Sequence, residues 1–465
     1  MSGRKPPSPD SAPQREALPL REALRIAWPA TLSLLLHSGY RVNDQYWIQD
    51  LGPSAQAALG LTTFMLILNF AFVMVVHGGV LSRTARAFGA GDREALKETY
   101  RAGIGYGLLW LGALAVAGWA TTGFWVEALG ARGETARMAG EYLERIYICL
   151  PFIALKPLTD AVFIGRGNTL TPMFLSAVSV GLNFVLNPIL IYGLGPIPAM
   201  GVAGAAWATG ISRGMGGLLG LIFLRRAYGL TPLGKRPSFA EARRIAGIGA
   251  PMGLSIAAYS LVFIAVLKST VSPFGRDTQA GFGVAFNGIE SISYCGLMGP
   301  AVAASSMVGR RLGAGDPAGA RRAAKTCVGL SLGIALLFTL AFLLAPRTLA
   351  GFFSDDPRVV EQGALYLWIM GWSQWATAAH SVLEQSLVGA GRTLGMSLLT
   401  AGGNGIRIPL CWLMAHPLGW GPAGAWWAMN ASNYLKLAAI FLLFRQGRWH
   451  ARPPLQTPDP RPPRT

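Results

Sequence analysis

Ionisable side chains inside apolar stretches are where this sequence could do chemistry. A charge placed there must be paired, hydrogen-bonded or titrated. Asp44 is the foremost, in Asn43-Asp44-Gln45-Tyr46-Trp47-Ile48-Gln49-Asp50-Leu51-Gly52. On a helix His37, Tyr40 and Asp44 fall at i, i+3 and i+7 and share one face. A buried carboxylate beside hydroxyl and amide groups can bind a proton near neutral pH. Glu290, in Gly288-Ile289-Glu290-Ser291, lies near the middle of another apolar stretch. It either forms a structural ion pair with Arg407 or faces a substrate. Two further acids follow a base by four residues: Asp160 after Lys156, and Glu384 after His380. Both are expected as local ion pairs that snorkel to the interface, with inner-gate contacts as the alternative. His37, His77 and His380 form no metal or nucleophile–base set. No His-Glu-x-x-His or Gly-x-Ser-x-Gly motif is present, so no enzyme, catalytic residue, metal or organic cofactor is expected.

The elements that must position these residues are long and apolar. The chain of 465 residues is 52% hydrophobic and only 13% charged, with a mean hydropathy of +0.40. Soluble domains carry about 25% charged residues. A span needs about 20 mostly apolar residues. Twelve candidates run over 22–49, 55–82, 95–121, 137–164, 169–193, 200–225, 241–271, 279–307, 319–345, 358–388, 393–416 and 421–445. The expectation is an all-α polytopic membrane protein. The net charge of +18 does not indicate nucleic acid. Its bases sit in short loops, such as Arg83, Arg86, Arg93 and Lys97, or Arg310, Arg311, Arg321, Arg322 and Lys325. That is the positive-inside pattern, and it puts both termini in the cytoplasm. Cys149, Cys295, Cys327 and Cys411 are far apart and lie in or beside apolar segments, as small core residues do.

The chain is duplicated. Phe88-Gly89-Ala90-Gly91-Asp92 recurs as Leu312-Gly313-Ala314-Gly315-Asp316, an offset of 313 − 89 = 224. Gly165-Arg166-Gly167-Asn168-Thr169-Leu170 matches Gly389-Ala390-Gly391-Arg392-Thr393-Leu394 at the same offset. Ala203-Gly204-Ala205 and Ala423-Gly424-Ala425 match at 220. Six spans per copy make the repeats parallel, two pseudo-symmetric lobes around a central cleft. The Gly-Ala-Gly-Asp phrases read as helix stop, turn and new N-cap. The expected organisation is a disordered tail over 1–20, an N-lobe over 21–225, a cytoplasmic linker over 226–240, a C-lobe over 241–446 and a disordered tail over 447–465. No cleavable signal peptide is expected before Arg21.

The order and duplication of these phrases, with Arg166-Gly167-Asn168-Thr169 and Gly421-Pro422-Ala423-Gly424-Ala425-Trp426, resemble the multidrug and toxic compound extrusion (MATE) transporters. The resemblance covers about residues 20 to 446. It implies two six-helix lobes and export of organic cations or drug-like compounds in exchange for protons or sodium. It also implies a cation-coupling cluster of Asp44, Tyr40, Asn183, Asn187 and Thr209. This chain departs at Asn187, where proton-coupled archaeal relatives have Asp, so Asp44 is the sole acid of the cluster. Ser260 and Thr377 stand where sodium-type relatives carry acids, which favours protons. Glu290, Arg407, His37, Asp160 and Glu384 remain as substrate or gating candidates. The expected partners are small organic substrates and membrane lipid. The expected setting is the plasma membrane, in bacteria the inner membrane, with the protein a monomer. The alternative is a flippase-type exporter of a lipid-linked or dedicated secreted metabolite.

Overall fold

The computed structural model describes residues 19–232, 236–447 and 449. Most of the two expected tails and residues 233–235 of the linker lie outside the described residues. The tail limits need two corrections. Pro19 and Leu20 already belong to the first helix. Trp449 is buried, stacked on Phe444 at 4.4 Å, and its Nε1 donates to the Phe444 carbonyl at 2.8 Å.

The first lobe holds α1 (Pro19–Ile48), α2 (Pro53–Gly89), α3 (Arg93–Ala120), the short α4 (Thr122–Ala128), α5 (Gly133–Gly165), α6 (Leu170–Tyr192) and α7 (Val202–Tyr228). In the second lobe, α8 (Phe239–Val266) runs on through a π-helical segment at Leu267–Val271 and a 3-10 turn at Ser272–Phe274. Next, α9 (Arg276–Gly283) continues through a π-helical segment, Val284–Glu290, into α10 (Ser291–Gly313). The rest are α11 (Pro317–Leu344), the short α12 (Pro346–Gly351), α13 (Pro357–Gly371), α14 (Gln374–Gly389), α15 (Thr393–Gly405), α16 (Arg407–Ala415) and α17 (Gly421–Arg445). Eight rods are long and apolar enough by themselves to cross a membrane. The other four spans are α1, the broken pairs α13–α14 and α15–α16, and α17. The protein is thus an all-α, twelve-span membrane protein. The short helices α4 and α12 were not anticipated from sequence.

Local chemistry explains the joints. Asp92 and Asp316 accept from the amides of Ala95 and Gly319 at 2.9 and 2.7 Å, capping α3 and α11. Gly91 and Gly315 supply the positive φ of 69° and 77° that ends α2 and α10. The two copies also explain the π-helical segments. Pro29 aligns with Pro251 at an offset of 251 − 29 = 222. Gly52 aligns with Gly275 at 275 − 52 = 223, and both have the same backbone, φ 94° and 95°. Gly89 aligns with Gly313 at 224. The offset grows by one residue across each π-helical segment, as single insertions into a helix require.

Among the described residues the main contacts between the lobes lie in the halves nearest the basic loops. There α2 packs on α8 and α10, and α1 packs on α10, with Ala23, Ile26 and Ala27 against Ala301, Ala304 and Met307. Glycine sets the closeness: a Cβ on Gly249 would lie 1.7 Å from the Val75 carbonyl oxygen, and one on Gly89 1.9 Å from that of Arg310. At the opposite end the apolar clusters belong to one lobe each, around Ile48, Tyr142 and Ile191 in the first and Phe282, Tyr366 and Trp426 in the second. The cleft therefore closes on the basic-loop side and opens on the other. Gly249→Val should destabilise this closed end by about 1–3 kcal/mol. A cysteine introduced by Ala85→Cys at this fully buried site should then react with a water-soluble maleimide, against four buried native cysteines. Unchanged labelling would contradict the packing.

Candidate functional site

Asp44 is 5% exposed, and both its oxygens accept from neutral donors. Asn187 Nδ2 reaches Oδ1 at 2.8 Å and Thr209 Oγ1 reaches Oδ2 at 3.2 Å. Asn183 lies behind them, with Nδ2 3.4 Å from Thr209 Oγ1. Asn43 donates to Asn183 Oδ1 at 2.8 Å and accepts from Trp47 Nε1 at 2.9 Å. Three helices, α1, α6 and α7, thus converge on one carboxylate. Among the described residues no cation lies within ion-pairing distance of it. One acceptor, Asn187 Oδ1, is buried without a partner. Holding an uncompensated ionised carboxylate in such a place is costly, and binding a proton or a small cation removes that cost.

The other candidates of this lobe are placed differently from one another. Tyr40 is buried beside the cluster but makes no bond to Asp44, and its hydroxyl has no partner. The Arg213 guanidinium lies over its ring, 4.4 Å from the centroid. His37 is exposed and meets the Tyr40 ring edge-on at 5.8 Å. Asp160 pairs with Lys156 at 2.5 Å, and Lys156 also donates to Ser176 at 3.1 Å. The snorkelling reading is corrected here: Lys156 is 7% exposed, folded inward among α5, α6 and α7 rather than reaching an interface. Asp160 serves a pair within one lobe, not an inter-lobe gate.

In the second lobe the Glu290–Arg407 ion pair is not formed. Glu290, at the end of the π-helical segment, accepts from the Tyr366 hydroxyl. Arg407 donates to Ser432 Oγ at 2.9 Å and Asn433 Oδ1 at 2.6 Å. The break between α13 and α14 frees carbonyls that α17 recovers: Asn430 donates to Ile369 O at 2.6 Å and Tyr434 to Trp372 O at 2.7 Å. Glu384 lies 3.8 Å from His380 and accepts from Thr400 at 3.3 Å, again within one lobe. Lys436, Arg213 and Asn43 were not singled out from sequence. The two cations were detectable as charges inside a span. The repeat shows how they arise. Arg213 and Asn183 correspond to Asn433 and Arg407, since 433 − 220 = 213 and 407 − 224 = 183. Each lobe carries one Arg and one Asn at these two positions, exchanged between helices.

Two charge pairs join the lobes at the closed end. Arg310 of α10 donates to Glu22 of α1 at 2.8 Å. Arg83 of α2 grips Glu241 of α8 through two bonds of 2.7 and 2.9 Å, and Thr99 adds a third at 2.7 Å. The Glu241 side chain is 2% exposed.

A two-lobe bundle that closes at one end, opens at the other and holds a polar cluster in each half is a membrane transporter. The MatE family model matches residues 29–189 and 251–413, one stretch per lobe, and the chain belongs to this family. It is 27% identical over 457 residues to the "probable multidrug resistance protein NorM" of Thermotoga maritima, covering 95% of each chain. It is 25% identical over 368 residues to an "FAD transporter" of Shewanella oneidensis, covering 75% of this chain and 78% of that one. Its fold matches the bent form of the Vibrio cholerae MATE transporter VcmN with a TM-score of 0.84 at 21% identity, over 93% and 98% of the two chains.

Glu241→Ala should cost about 3–5 kcal/mol of inter-lobe stability by leaving Arg83 unpaired. The reciprocal swap Arg83→Glu with Glu241→Arg should recover part of it. Unfolding midpoints of the purified variants in detergent check this, and additive losses in the swap would contradict it.

Proposed function

We propose that this protein is a proton-coupled antiporter that exports drug-like organic compounds bearing a cationic centre. The observation that supports this most is Asp44: buried, shared by three helices and held only by neutral donors. A proton and a cationic substrate centre compete for its charge, so loading one favours release of the other. Protonation also changes what Asn187 and Thr209 can donate to, and so how α1 rests on α6 and α7. Such a change in one helix can bias the closed end, where α1 holds α10 through Glu22 and Arg310. With basic loops in the cytoplasm, the cleft faces outward, the state that takes up protons. The setting is a plasma membrane, with the protein acting as a monomer and sodium as the alternative coupling ion.

A second reading, export of a dedicated metabolite, draws on the Shewanella relative described as an FAD transporter. The experiment is dye movement in everted vesicles with pH and sodium gradients imposed separately. The expected result is uptake that follows the pH gradient and falls to background in Asp44→Asn, with the variant folded to the same extent. Uptake at the wild-type rate by that variant would remove Asp44 from the mechanism. Uptake driven by sodium alone would replace the proton.

A further inference from the structure

The surface of α1 is divided into stripes. Leu35, Val42 and Tyr46, exposed by 36%, 68% and 59%, form an apolar stripe suited to lipid. Tyr40, Asn43 and Asp44 form the buried stripe against α6 and α7. Ala27 and Thr31 meet α10, where a Cβ on Gly299 would lie 2.0 Å from Thr31 Oγ1. His37, Arg41 and Gln45, spaced i, i+4 and i+8, form a third, exposed stripe. By helix geometry it lies between the face on the first lobe and the face on the second, away from the lipid stripe. It therefore lines the open cleft.

Arg213 adjoins this stripe. It stands near the middle of the 27-residue α7, with its guanidinium over the face of Tyr40. Among the described residues it has no hydrogen bond and no ion pair, and its Nε is buried without a partner. Arg41 likewise makes no ion pair or hydrogen bond among the described residues. Three other interior cations are engaged: Lys156 by Asp160, Arg407 by Ser432 and Asn433, Lys436 by Asn404 at 3.0 Å. Asp44 and Arg213 form no ion pair; each Asp44 oxygen accepts one bond, from Asn187 or Thr209, and keeps a further acceptor site.

We propose that Arg213, together with Arg41, is an anion-binding subsite beside Asp44 that takes a carboxylate or phosphate group of the exported compound. A guanidinium presents paired N–H donors that match either group. The Tyr40 face holds the guanidinium in place. His37, one turn from Arg41, supplies a further ring donor or acceptor. The preferred substrate is thus a zwitterion, its cationic centre at Asp44 and its acidic group on Arg213. This rests on the coupling reading above for the role of Asp44, but the anion subsite itself does not need a gradient.

The test is equilibrium binding to the purified full-length protein, followed by fluorescence anisotropy. The probes are rhodamine 110, with a free carboxylate, and its methyl ester rhodamine 123. The wild type is expected to bind the acid more tightly than the ester by about tenfold, the size of one charge-assisted pair. Arg213→Gln should erase that preference, Arg213→Lys should restore part of it, and Arg41→Gln should reduce it. No preference in the wild type, including no binding of either dye, would overturn the proposal. So would a preference that survives Arg213→Gln in protein with unchanged thermal unfolding. Loss of pH-driven transport with the acid preference intact would instead count against the coupling reading alone.

Discussion

Inside a membrane bundle a carboxylate must find its donors within the protein, and that constraint organises the first lobe. Asp44 is satisfied by side chains from α6 and α7, so the three helices share one polar junction. Asn43 and Asn183 extend it, and Trp47 anchors its end away from the basic loops. Because all the donors to Asp44 are neutral, its charge is the variable of the cluster. The same helix that carries it reaches the closed end at Glu22. In the proposed antiport cycle, α1 is the element through which a change of charge at Asp44 acts on the inter-lobe contact.

The two lobes divide their work unequally. The first keeps regular helices around a compact polar junction. The second has acquired an extra residue in each of two spans and breaks in α13–α14 and α15–α16. Three of these irregularities fall at Glu290, at Ser373 and Gln374, and at Arg407. Backbone that departs from a helix at membrane depth is tolerated where protein groups recover it, as Asn430 and Tyr434 do here. The exchange of Arg and Asn between Asn183/Arg213 and Arg407/Asn433 leaves one guanidinium bonded and the other open. Duplication supplied the positions, and divergence decided which cation stays available.

Much of this was legible in the sequence because the signals are periodic. Apolar length marked the spans, and the phrase around Gly89 and Gly313 revealed the repeat. The stop-and-cap reading of Asp92 and Asp316 is what the hydrogen bonds display. Pairwise contacts across helices were less accessible. Glu290 and Arg407 have opposite charges, yet each found neutral partners. An ion pair needs side-chain directions that spacing does not give. The Lys156–Asp160 pair was read as snorkelling because charges near a span end usually do; the pair forms, but inside the lobe. In the fold a glycine opposite Lys156, Gly216, leaves room for its stem, with a Cβ there 3.2 Å from Lys156 Cδ. The one-residue steps in the repeat offset were present in the sequence, but they became meaningful only once the π-helical segments were located.

The most direct test of the central claim is proton release on substrate binding. Purified protein in weakly buffered detergent solution is titrated with a cationic dye while pH is followed. The account predicts release of about one proton per dye bound by the wild type, and none by Asp44→Asn. Equal release by the two proteins, or none by the wild type across neutral pH, would contradict it.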